Sequence, residues 1–354
     1  MVKGLTFTAI FEAQSLNYDE GFGNLSVLKK LRRGNGEVFT VASRQSLRYS
    51  MFTQGVRQFG WKPSSVELSG KGDEKVTQHL SDITQSEEVD LFGYMKTGVP
   101  IKNEQGAVVE GKTVTITRRM PVRVMPAISV EPFSNDVEML TNKYQSDKIK
   151  AQPNIANMEQ HRSLYRYTVT IDLDRIGNEE DPIGTHISPN TGIKADDDLF
   201  KQAERELRRI TVKPEIRCHR IQQFLEVVKT FHRLIRGRDE SLSPLFIIGG
   251  VYDCLNPFFM NAVHVEYQNS KPRVLPEPLK QILNSKYAFG TDLTEQVVGD
   301  STYTGIRDGY FANTSTDINT RVLSPEEMID ELKQQVCASF GEHEHGRATD
   351  NANS

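Results

Sequence analysis

The sequence contains only three cysteines, and none of them forms a CxxC pair. The wide spacing of Cys218, Cys254 and Cys337 argues against a disulfide framework or a structural zinc site, and it indicates a reducing compartment. Long apolar runs are also absent, since no stretch reaches the ~18–20 residues that cross a bilayer. The N-terminus, MVKGLTFTAIF, alternates in hydrophobicity as a strand does and does not resemble a signal peptide. We therefore expect a soluble, cytoplasmic protein with no membrane partner.

The sequence also lacks the short motifs of common nucleotide-binding and hydrolytic enzymes. GxxxxGK followed by Ser or Thr, GxGxxG after a strand, HExxH and GxSxG do not occur. His343 and His345 follow Cys337, but no fourth metal ligand lies at a suitable spacing. Cys218 and His219 fall inside a predicted helix, where a core or surface pair is the simpler interpretation. We predict no catalytic residue, no metal and no cofactor.

Asp19 is the one carboxylate that we keep as a chemical candidate. It lies in a glycine-bearing loop beside a basic segment, where a general base for attack by an RNA 2′-hydroxyl could act. The other interpretation is structural, because Asn17 and Asp19 are both residue types that form Asx turns. We favour the structural role, and the catalytic alternative stays open at this point.

What the sequence does contain is a basic cluster within an acidic protein. Between Gly21 and Lys62, eight Lys and Arg residues stand against one acid, Glu37. The whole chain has a formal charge of −4, so the residues outside this +7 cluster sum to −11. Such a cluster indicates an anionic partner, most commonly a polyphosphate backbone, unless it is only a solvated loop.

A helix start lies within the basic cluster. Ser43 is an N-cap residue type, and the apolar spacing after it predicts a helix from Arg44 to about Gly60. Arg44, Gln45 and Arg48 then lie in its first turns, at the positive end of the helix macrodipole. Free N–H groups at such an end bind anions, and side chains add charge-assisted hydrogen bonds.

Strand and helix patterns follow one another along the chain as in an α+β fold. Residues 4–13 alternate as a half-buried strand does, and residues 163–173 give the clearest strand pattern. Apolar periodicity predicts helices around 74–84 and over 197–211 and 215–236. This order of elements is the one expected of a ferredoxin-like core, also called RRM-like after the RNA-recognition motif.

Two long segments interrupt this core, at about 61–120 and 134–163. The second is polar, lacks clear periodicity and is too long for an ordinary connection, which is typical of a functional or mobile loop. The last residues, 341–354, have the composition of a disordered tail.

Five elements, taken in order, give the sequence a family resemblance. They are Leu16-Asn17-Tyr18-Asp19, Gly34-Asn35-Gly36, Ser43-Arg44-Gln45-Ser46-Leu47-Arg48, Leu91-Phe92-Gly93-Tyr94-Met95 and Leu164-Tyr165-Arg166-Tyr167. With them the chain resembles the DevR family of CRISPR-associated proteins in the RAMP superfamily. Members of this family form the backbone of type I Cascade complexes, and this chain is most like the type I-B branch. No single element is specific, whereas the ordered set is.

The resemblance implies a shape like a right hand. The RRM-like palm comprises residues 1–60, 121–133 and 164–340, with fingers at 61–120 and a thumb at 134–163. Copies stack along the CRISPR RNA (crRNA) spacer, each palm holding the RNA backbone and each thumb reaching its neighbour to displace one base. The residues that we predict as candidates for displacing the base are Phe133, Met139 and Met158.

The resemblance also implies which residues hold the RNA. Ser43, Gln45 and Arg48 match the family element best. Arg44 replaces a small residue, and Tyr18 stands where many relatives carry Arg, which predicts stacking instead of charge there. The full predicted RNA-binding set is Asn17, Lys29, Lys30, Arg32, Arg33, Ser43, Arg44, Gln45 and Arg48. Only one of Lys29 and Lys30 corresponds to the basic loop position of the family, and the sequence leaves that choice open.

The predicted function is that of a non-enzymatic crRNA-binding subunit that oligomerises along the spacer, in antiviral defence or guide-directed transposition. Its partners are crRNA, target DNA through guide pairing, neighbouring copies and other Cascade subunits. Two alternatives stay open. One is a metal-dependent endoribonuclease using Asp19, as in type III backbone subunits, and the other is a monomeric single-stranded nucleic-acid-binding module. Since type I members are not nucleases, the resemblance places Asp19 with the structural group.

Overall fold

The computed structural model describes residues 3–69, 76–313, 317–318 and 321–350, without the side chains of residues 69, 76, 77 and 341–350. The strands are β1 (Gly4–Gln14), β2 (Leu25–Ser26), β3 (Lys30–Arg32), β4 (Val38–Ala42), β5 (Val66–Ser69), β6 (Val76–His79), β7 (Tyr94–Lys102), β8 (Val108–Arg118), β9 (Val122–Val124), β10 (Ala127–Ser129), β11 (Asp136–Thr141), β12 (Ile155–Gln160), β13 (Arg162–Asp172), β14 (Thr185–Pro189), β15 (His232–Ile235), β16 (Arg238–Ser241), β17 (Phe246–Tyr252), β18 (Val265–Gln268), β19 (Lys271–Val274), β20 (Lys286–Phe289), β21 (Thr294–Val297), β22 (Thr302–Ile306) and β23 (Arg321–Leu323). The helices are α1 (Arg44–Phe59), α2 (Glu87–Phe92), α3 (Lys143–Lys148), α4 (Asp198–Arg208), α5 (Pro214–Lys229), α6 (Pro276–Leu283) and α7 (Pro325–Asp350).

A central sheet of nine strands organises the molecule, in the order β23-β22-β17-β1-β13-β10-β4-β3, with β9 beside β13. β1 runs antiparallel to β13 on one side and to β17 on the other. The helices α1 and α5 lie in the connections from β1 to β9 and from β13 to β17. The middle of the sheet is therefore built from two strand–helix–strand units whose strands interleave.

β1 is buried on both faces of the sheet, although the sequence predicted a half-buried strand. Its apolar side chains, such as Phe7 and Phe11, pack into a core that α1, α5 and α7 complete. The opposite face, which carries Ile10, is covered by a second core to which α6 contributes. Thr8 can be buried on that face because its hydroxyl bonds to that of Thr168 at 2.8 Å.

The finger segment (61–120) forms a separate small sheet, in the order β14-β8-β7. Its third strand, β14, and the helix α4 come from the segment that the sequence assigned to the palm. The small core beneath the sheet brings together Ile101, Val114, Ile187 and Phe200. Local sequence patterns did not indicate that β14 belongs to this sheet, because β14 pairs with a strand about 70 residues earlier in the chain.

A buried ion network joins the finger segment to the central sheet. Arg118, the last residue of β8, places Nη2 at 2.8 Å from Asp90 and Nη1 at 2.8 Å from Glu179. Asp90 also accepts from Arg220 of α5 at 2.6 Å. The carboxylate of Glu179 accepts in addition from Tyr94 and Thr185. Burial raises the pKa of the Tyr94 hydroxyl most, the charge of Glu179 raises it further, and Arg118 opposes both. The charges in this network are paired with one another and away from water.

Three sequence predictions about secondary structure are wrong. Strand β6 and a turn lie where a helix was predicted around 74–84, although residues 74 and 75 are outside the described residues. The helix predicted over 215–236 ends at Lys229, because the β15–β16 hairpin follows and turns at Arg236 and Gly237, both with positive φ. α7 continues to Asp350, through most of the tail predicted to be disordered, and residues 351–354 are outside the described residues.

Cys218 of α5 and Cys337 of α7 form a disulfide, with their Cα atoms 5.3 Å apart. The bond contradicts the sequence prediction, in which the wide cysteine spacing argued against disulfides; that spacing is uninformative because residues 119 positions apart meet between two helices. The bond also removes Cys337 from the weak metal candidate considered with His343 and His345, whose side chains are not described. No helix in the described part of the chain is long and apolar enough to cross a membrane.

Candidate nucleic-acid interface

The start of α1 is the best-formed feature of the basic cluster. Ser43 adopts an extended conformation and its Oγ accepts a hydrogen bond from the Ser46 amide at 3.2 Å, as an N-cap does. The first turn contains no acidic residue, and Arg44 and Gln45 are exposed. No hydrogen bond is formed by the amides of these two residues to the rest of the described chain, as expected at a helix start. This end of α1 can therefore receive an anion.

Arg48 lies in the first turns of α1, as predicted, but its side chain does not lie at the helix start. Its guanidinium lies against the base of the finger segment, with Nη1 3.3 Å from the Met120 sulfur and Cζ 5.9 Å from the Phe92 ring centroid. Arg44 and Arg48 are four residues apart and share a face of α1, but Arg48 lies one turn further along the helix, beyond the free amides of the first turn. Arg48 is half-buried where Arg44 is exposed.

The two lysines Lys29 and Lys30 have different surroundings. Lys30 is held by Glu159, with Nζ at 2.6 and 2.7 Å from the two carboxylate oxygens, and Nζ also lies 4.4 Å from the Phe133 ring centroid. Its charge is therefore neutralised inside the protein. Lys29 makes no side-chain ion pair within the described residues, and its carbonyl accepts from the amide of Val41, two residues before Ser43. Lys29 is thus the lysine next to the start of α1.

The remaining basic candidates lie along the edge strand β3 and its turn. Arg32 and Arg33 are exposed, and the Arg33 guanidinium carbon lies 5.7 Å from the Phe39 ring centroid. Because β3 ends the sheet, both side chains have solvent on one side. They extend the positive surface away from Ser43 and do not converge on the α1 end.

Glu159 is a buried structural residue that sequence reasoning missed. Only 4% of it is exposed, and besides Lys30 it accepts a hydrogen bond from the Leu28 amide at 2.7 Å. Its strand, β12, also pairs in parallel with β2. The basic loop after β1 is therefore fixed to the thumb segment (134–163), which includes β11, α3 and β12. A lone Glu in a polar segment carries no sequence signal for this role.

The loop around Tyr18 and Asp19 is packed differently from its prediction. The Arg236 guanidinium covers the Tyr18 ring at 4.0 Å from its centroid, and the Tyr18 hydroxyl donates to the Glu159 carbonyl at 3.2 Å. One ring face is thus already occupied. Asp19 is exposed, and its carboxylate accepts from the adjacent Glu20 amide at 3.1 Å. Asn17 is half-buried, its carbonyl accepts from the Lys29 amide and its Nδ2 donates to the Tyr18 carbonyl at 3.2 Å.

The three candidates for displacing a base differ in exposure. Phe133 packs at the root of the thumb segment, edge-on to His161 at 5.6 Å and beneath Lys30. The Met158 sulfur lies 2.9 Å from Nη1 of Arg236. Met139 on β11 is 64% exposed and stands clear of the central sheet. The geometry therefore leaves Met139 as the candidate that is free to insert between bases.

His161 should make the stability of this region depend on pH. It is buried beside Thr40, whose hydroxyl lies 2.8 Å from Nδ1, and burial lowers its pKa below the usual 6.5 despite the opposing carboxylates of Glu131 and Asp136. Below about pH 6.5 the unfolded chain then binds more protons than the folded one. We expect the melting temperature of the wild type to fall between about pH 6.5 and 5.

The matched measurement compares His161→Gln with His232→Gln, in which an exposed histidine is removed. The His161 variant should show a shallower decline below pH 6.5, and the His232 variant should follow the wild type. Identical pH profiles for all three proteins would mean that His161 titrates as it does in the unfolded chain.

Comparisons with known proteins relate the chain to CRISPR-associated proteins. The family model described as "CRISPR-associated negative auto-regulator DevR/Csa2" matches residues 5–271. A chain of a solved "CRISPR RNA-guided surveillance complex, pre-nicking" superposes with a TM-score of 0.55 at 11% identity, covering 94% of this chain and 100% of that one. A second, from a "CRISPR RNA-guided surveillance complex", gives 0.51 at 13% identity, covering 95% and 100%. At these identities the likeness shows a shared mixed α+β fold. No curated protein matches the chain.

Proposed function

The chain belongs to the DevR/Csa2 family of CRISPR-associated proteins, and from this premise we propose that it is a non-enzymatic, guide-RNA-binding subunit of a CRISPR RNA-guided surveillance complex. Several copies assemble along one crRNA and form the backbone of a type I complex in the cytoplasm. The complex recognises target DNA through pairing with the guide. The shared fold with chains of solved surveillance complexes supports this proposal.

We assign the RRM-like palm to the middle of the central sheet. In the order β17-β1-β13-β10, the fourth, first, third and second strands of the core lie side by side, and the pairs are antiparallel. The two helices that connect them, α1 and α5, pack on the same face. This is the arrangement of a ferredoxin-like fold. The palm thereby places the start of α1 at the end of β4, beside Lys29.

The observation that carries the proposal is the start of α1. Its first amides are open, its cap is formed by Ser43 and Arg44 brings positive charge, while the main chain of Lys29 lies beside Val41, two residues before the cap. Such a site holds a phosphate oxygen by hydrogen bonds and charge, and neither depends on the base. A subunit that must accept any spacer sequence needs this kind of contact.

The thumb segment supports the assembly part of the proposal. All six residues of β11 are exposed, and apolar side chains of the segment reach solvent at Val137, Met139, Tyr144 and Ile149. In a monomer this apolar surface stays exposed to water, which is unfavourable, whereas a neighbouring copy on the same RNA would cover it. Met139 is the residue that we propose to displace a base of the guide.

We propose that Asp19 has no catalytic role. What supports this is its setting: the carboxylate is exposed, accepts only from the neighbouring Glu20 amide, and belongs to no group of three potential metal ligands among the described residues. Incubation with labelled RNA and Mg²⁺ tests the point. RNA cleavage that Asp19→Ala abolishes would favour the endoribonuclease alternative instead.

The RNA contact is tested with Lys29→Ala combined with Arg44→Ala. Each removes a charge-assisted hydrogen bond, so we expect the affinity for guide RNA to fall roughly 10- to 100-fold. The slope of log K against log salt should flatten by roughly 1.4, for two phosphates on a single strand. Arg205→Ala is the matched control, because Arg205 is an exposed arginine of helix α4 without an ion pair in the described structure.

Two outcomes of this binding experiment would contradict the proposal. The first is a loss that differs between two unrelated spacer sequences, which would indicate base reading. The second is a single copy per guide in mass photometry, whatever the guide length. The backbone role predicts a complex mass that grows in steps with spacer length.

A further inference from the structure

A groove separate from the proposed RNA interface lies between α1 and the β15–β16 hairpin. Its volume is about 750 Å³. The side chains that concern us are Tyr49, Thr53 and Arg57 from α1 and His232, Arg233 and Leu234 from β15. None of these belongs to the basic residues that the family elements assign to RNA.

The groove carries two arginines without an anionic partner. Arg57 is exposed and makes no ion pair with any described residue, and Nη1 of Arg233 is buried without a hydrogen-bond partner. Asp239 also lines the groove, but no ion pair within the described residues joins it to either arginine. Burial lowers the pKa of the Arg233 guanidinium, so a bound anion would offset the cost of keeping this charge there.

The floor of the groove is fixed by a buried glutamine. Gln54, 7% exposed, donates from Nε2 to the carbonyl and hydroxyl of Thr230 at 3.0 and 3.1 Å. Its Oε1 accepts from the His232 amide at 3.3 Å. α1 and the hairpin are therefore held at a set distance, and a ligand would not have to order them on binding.

An exposed aromatic ring stands at one end of the groove. Tyr49 is 71% exposed, and Tyr49, Thr53 and Arg57 are four residues apart, so they share one face of α1. Tyr49 and Arg57 are eight residues apart, about 12 Å along the helix axis, or roughly three to four nucleotides at the ~3.4 Å rise of a stacked strand. A ring in line with one arginine on a helix face, with a second arginine across the groove, is an arrangement that can hold single-stranded nucleic acid.

We propose that this groove is a second binding site for single-stranded nucleic acid. Phosphates bind Arg57 and Arg233, and a base stacks on Tyr49. The phosphodiester chain is either a further stretch of the guide or another strand, and both present the same chemistry. The inference rests on the proposed function in one respect: it takes the anion to be nucleic acid, as at the start of α1.

The test uses the full chain in two arms, with Tyr49→Ala combined with Arg57→Ala as the groove variant. The first arm measures affinity for guide RNA. The second measures binding of a fluorescent, non-complementary dT oligonucleotide to protein already saturated with guide. We expect a loss of roughly tenfold, the scale of one lost base stack, in one arm. A loss in the first arm assigns the groove to the guide, and a loss in the second assigns it to another strand.

Controls separate this inference from the proposed function. Arg205→Ala should leave both arms unchanged, and Arg44→Ala with Lys29→Ala should weaken the first arm whether or not the groove binds nucleic acid. If only the groove variant acts, the proposed site at α1 fails and the groove stands. Unchanged binding of the groove variant in both arms would overturn the inference. So would a Glu-rich peptide that binds the groove when neither oligonucleotide does.

Discussion

Replacement of Arg118 by methionine is expected to lower the free energy of unfolding by about 3–5 kcal/mol. Arg118 is fully buried between Asp90 and Glu179, and it also donates to the Asn178 carbonyl at 2.8 Å. Methionine fills much of the same volume but leaves Glu179 buried without its ionic partner. The loss follows from that uncompensated charge more than from any net strength of the ion pair. Urea denaturation of the wild type and the variant measures it.

The matched control for this prediction is Lys286→Met. Lys286 pairs with Glu295 at 3.1 Å, but both side chains are more than 60% exposed. An exposed pair contributes roughly 0–1 kcal/mol, so the control should unfold close to the wild type. If Arg118→Met also costs less than about 1 kcal/mol, the network does not hold the finger segment to the central sheet.

Replacement of Glu159 by glutamine has the second-largest expected effect, a destabilisation of about 2–3 kcal/mol. Glutamine keeps the shape of Glu159 and can still accept from the Leu28 amide, but it removes the charge opposite Lys30. We expect a smaller destabilisation than for Arg118→Met, because the Lys30 side chain is about a quarter exposed and water reaches part of the broken pair. The thumb segment should also open more often.

Limited trypsin digestion reports that opening, because the segment carries Lys143, Lys148 and Lys150 between its two strands. Cleavage there should be faster in Glu159→Gln than in the wild type. Glu138→Gln is the control, since Glu138 is exposed on the same hairpin and faces away from Lys30. Equal cleavage rates for the two variants would contradict a role for Glu159 in holding the segment.

Elements defined by neighbouring residues could be predicted from the sequence. α1 begins and ends where predicted because Ser43 caps its start and Gly60, with positive φ, ends it. The alternation in β1 gave the correct inward face. The burial of its threonine face did not follow from that alternation, since the covering core comes from residues beyond 245 and the hydroxyl partners lie on β13.

Side-chain direction at the candidate site could not be predicted in the same way. The helix start at Ser43, Arg44 and Gln45 could be predicted because it is local. The side-chain directions of Lys30 and Arg48 could not, since Glu159 and Met120 determine them from about 130 and 70 residues away. The Cys218–Cys337 bond and the pairing of β14 with β8 could not be predicted for the same reason, because their partners are far apart in the sequence. Contacts of this range leave no periodic trace in a single sequence.

The hydrogen bond from Leu28 to Glu159 spans 131 residues of sequence, and strand β2 pairs with β12 beside it. Through these contacts, the loop that leads to Lys29 and the hairpin that carries Met139 become ordered, or lose order, as one unit. In the proposed assembly, a copy whose hairpin is held by its neighbour has less conformational entropy left to lose when its own loop meets RNA. Along a row of such copies, each bound copy would make binding of the next one more favourable. Partly covered guides would then be less populated than fully covered or empty ones.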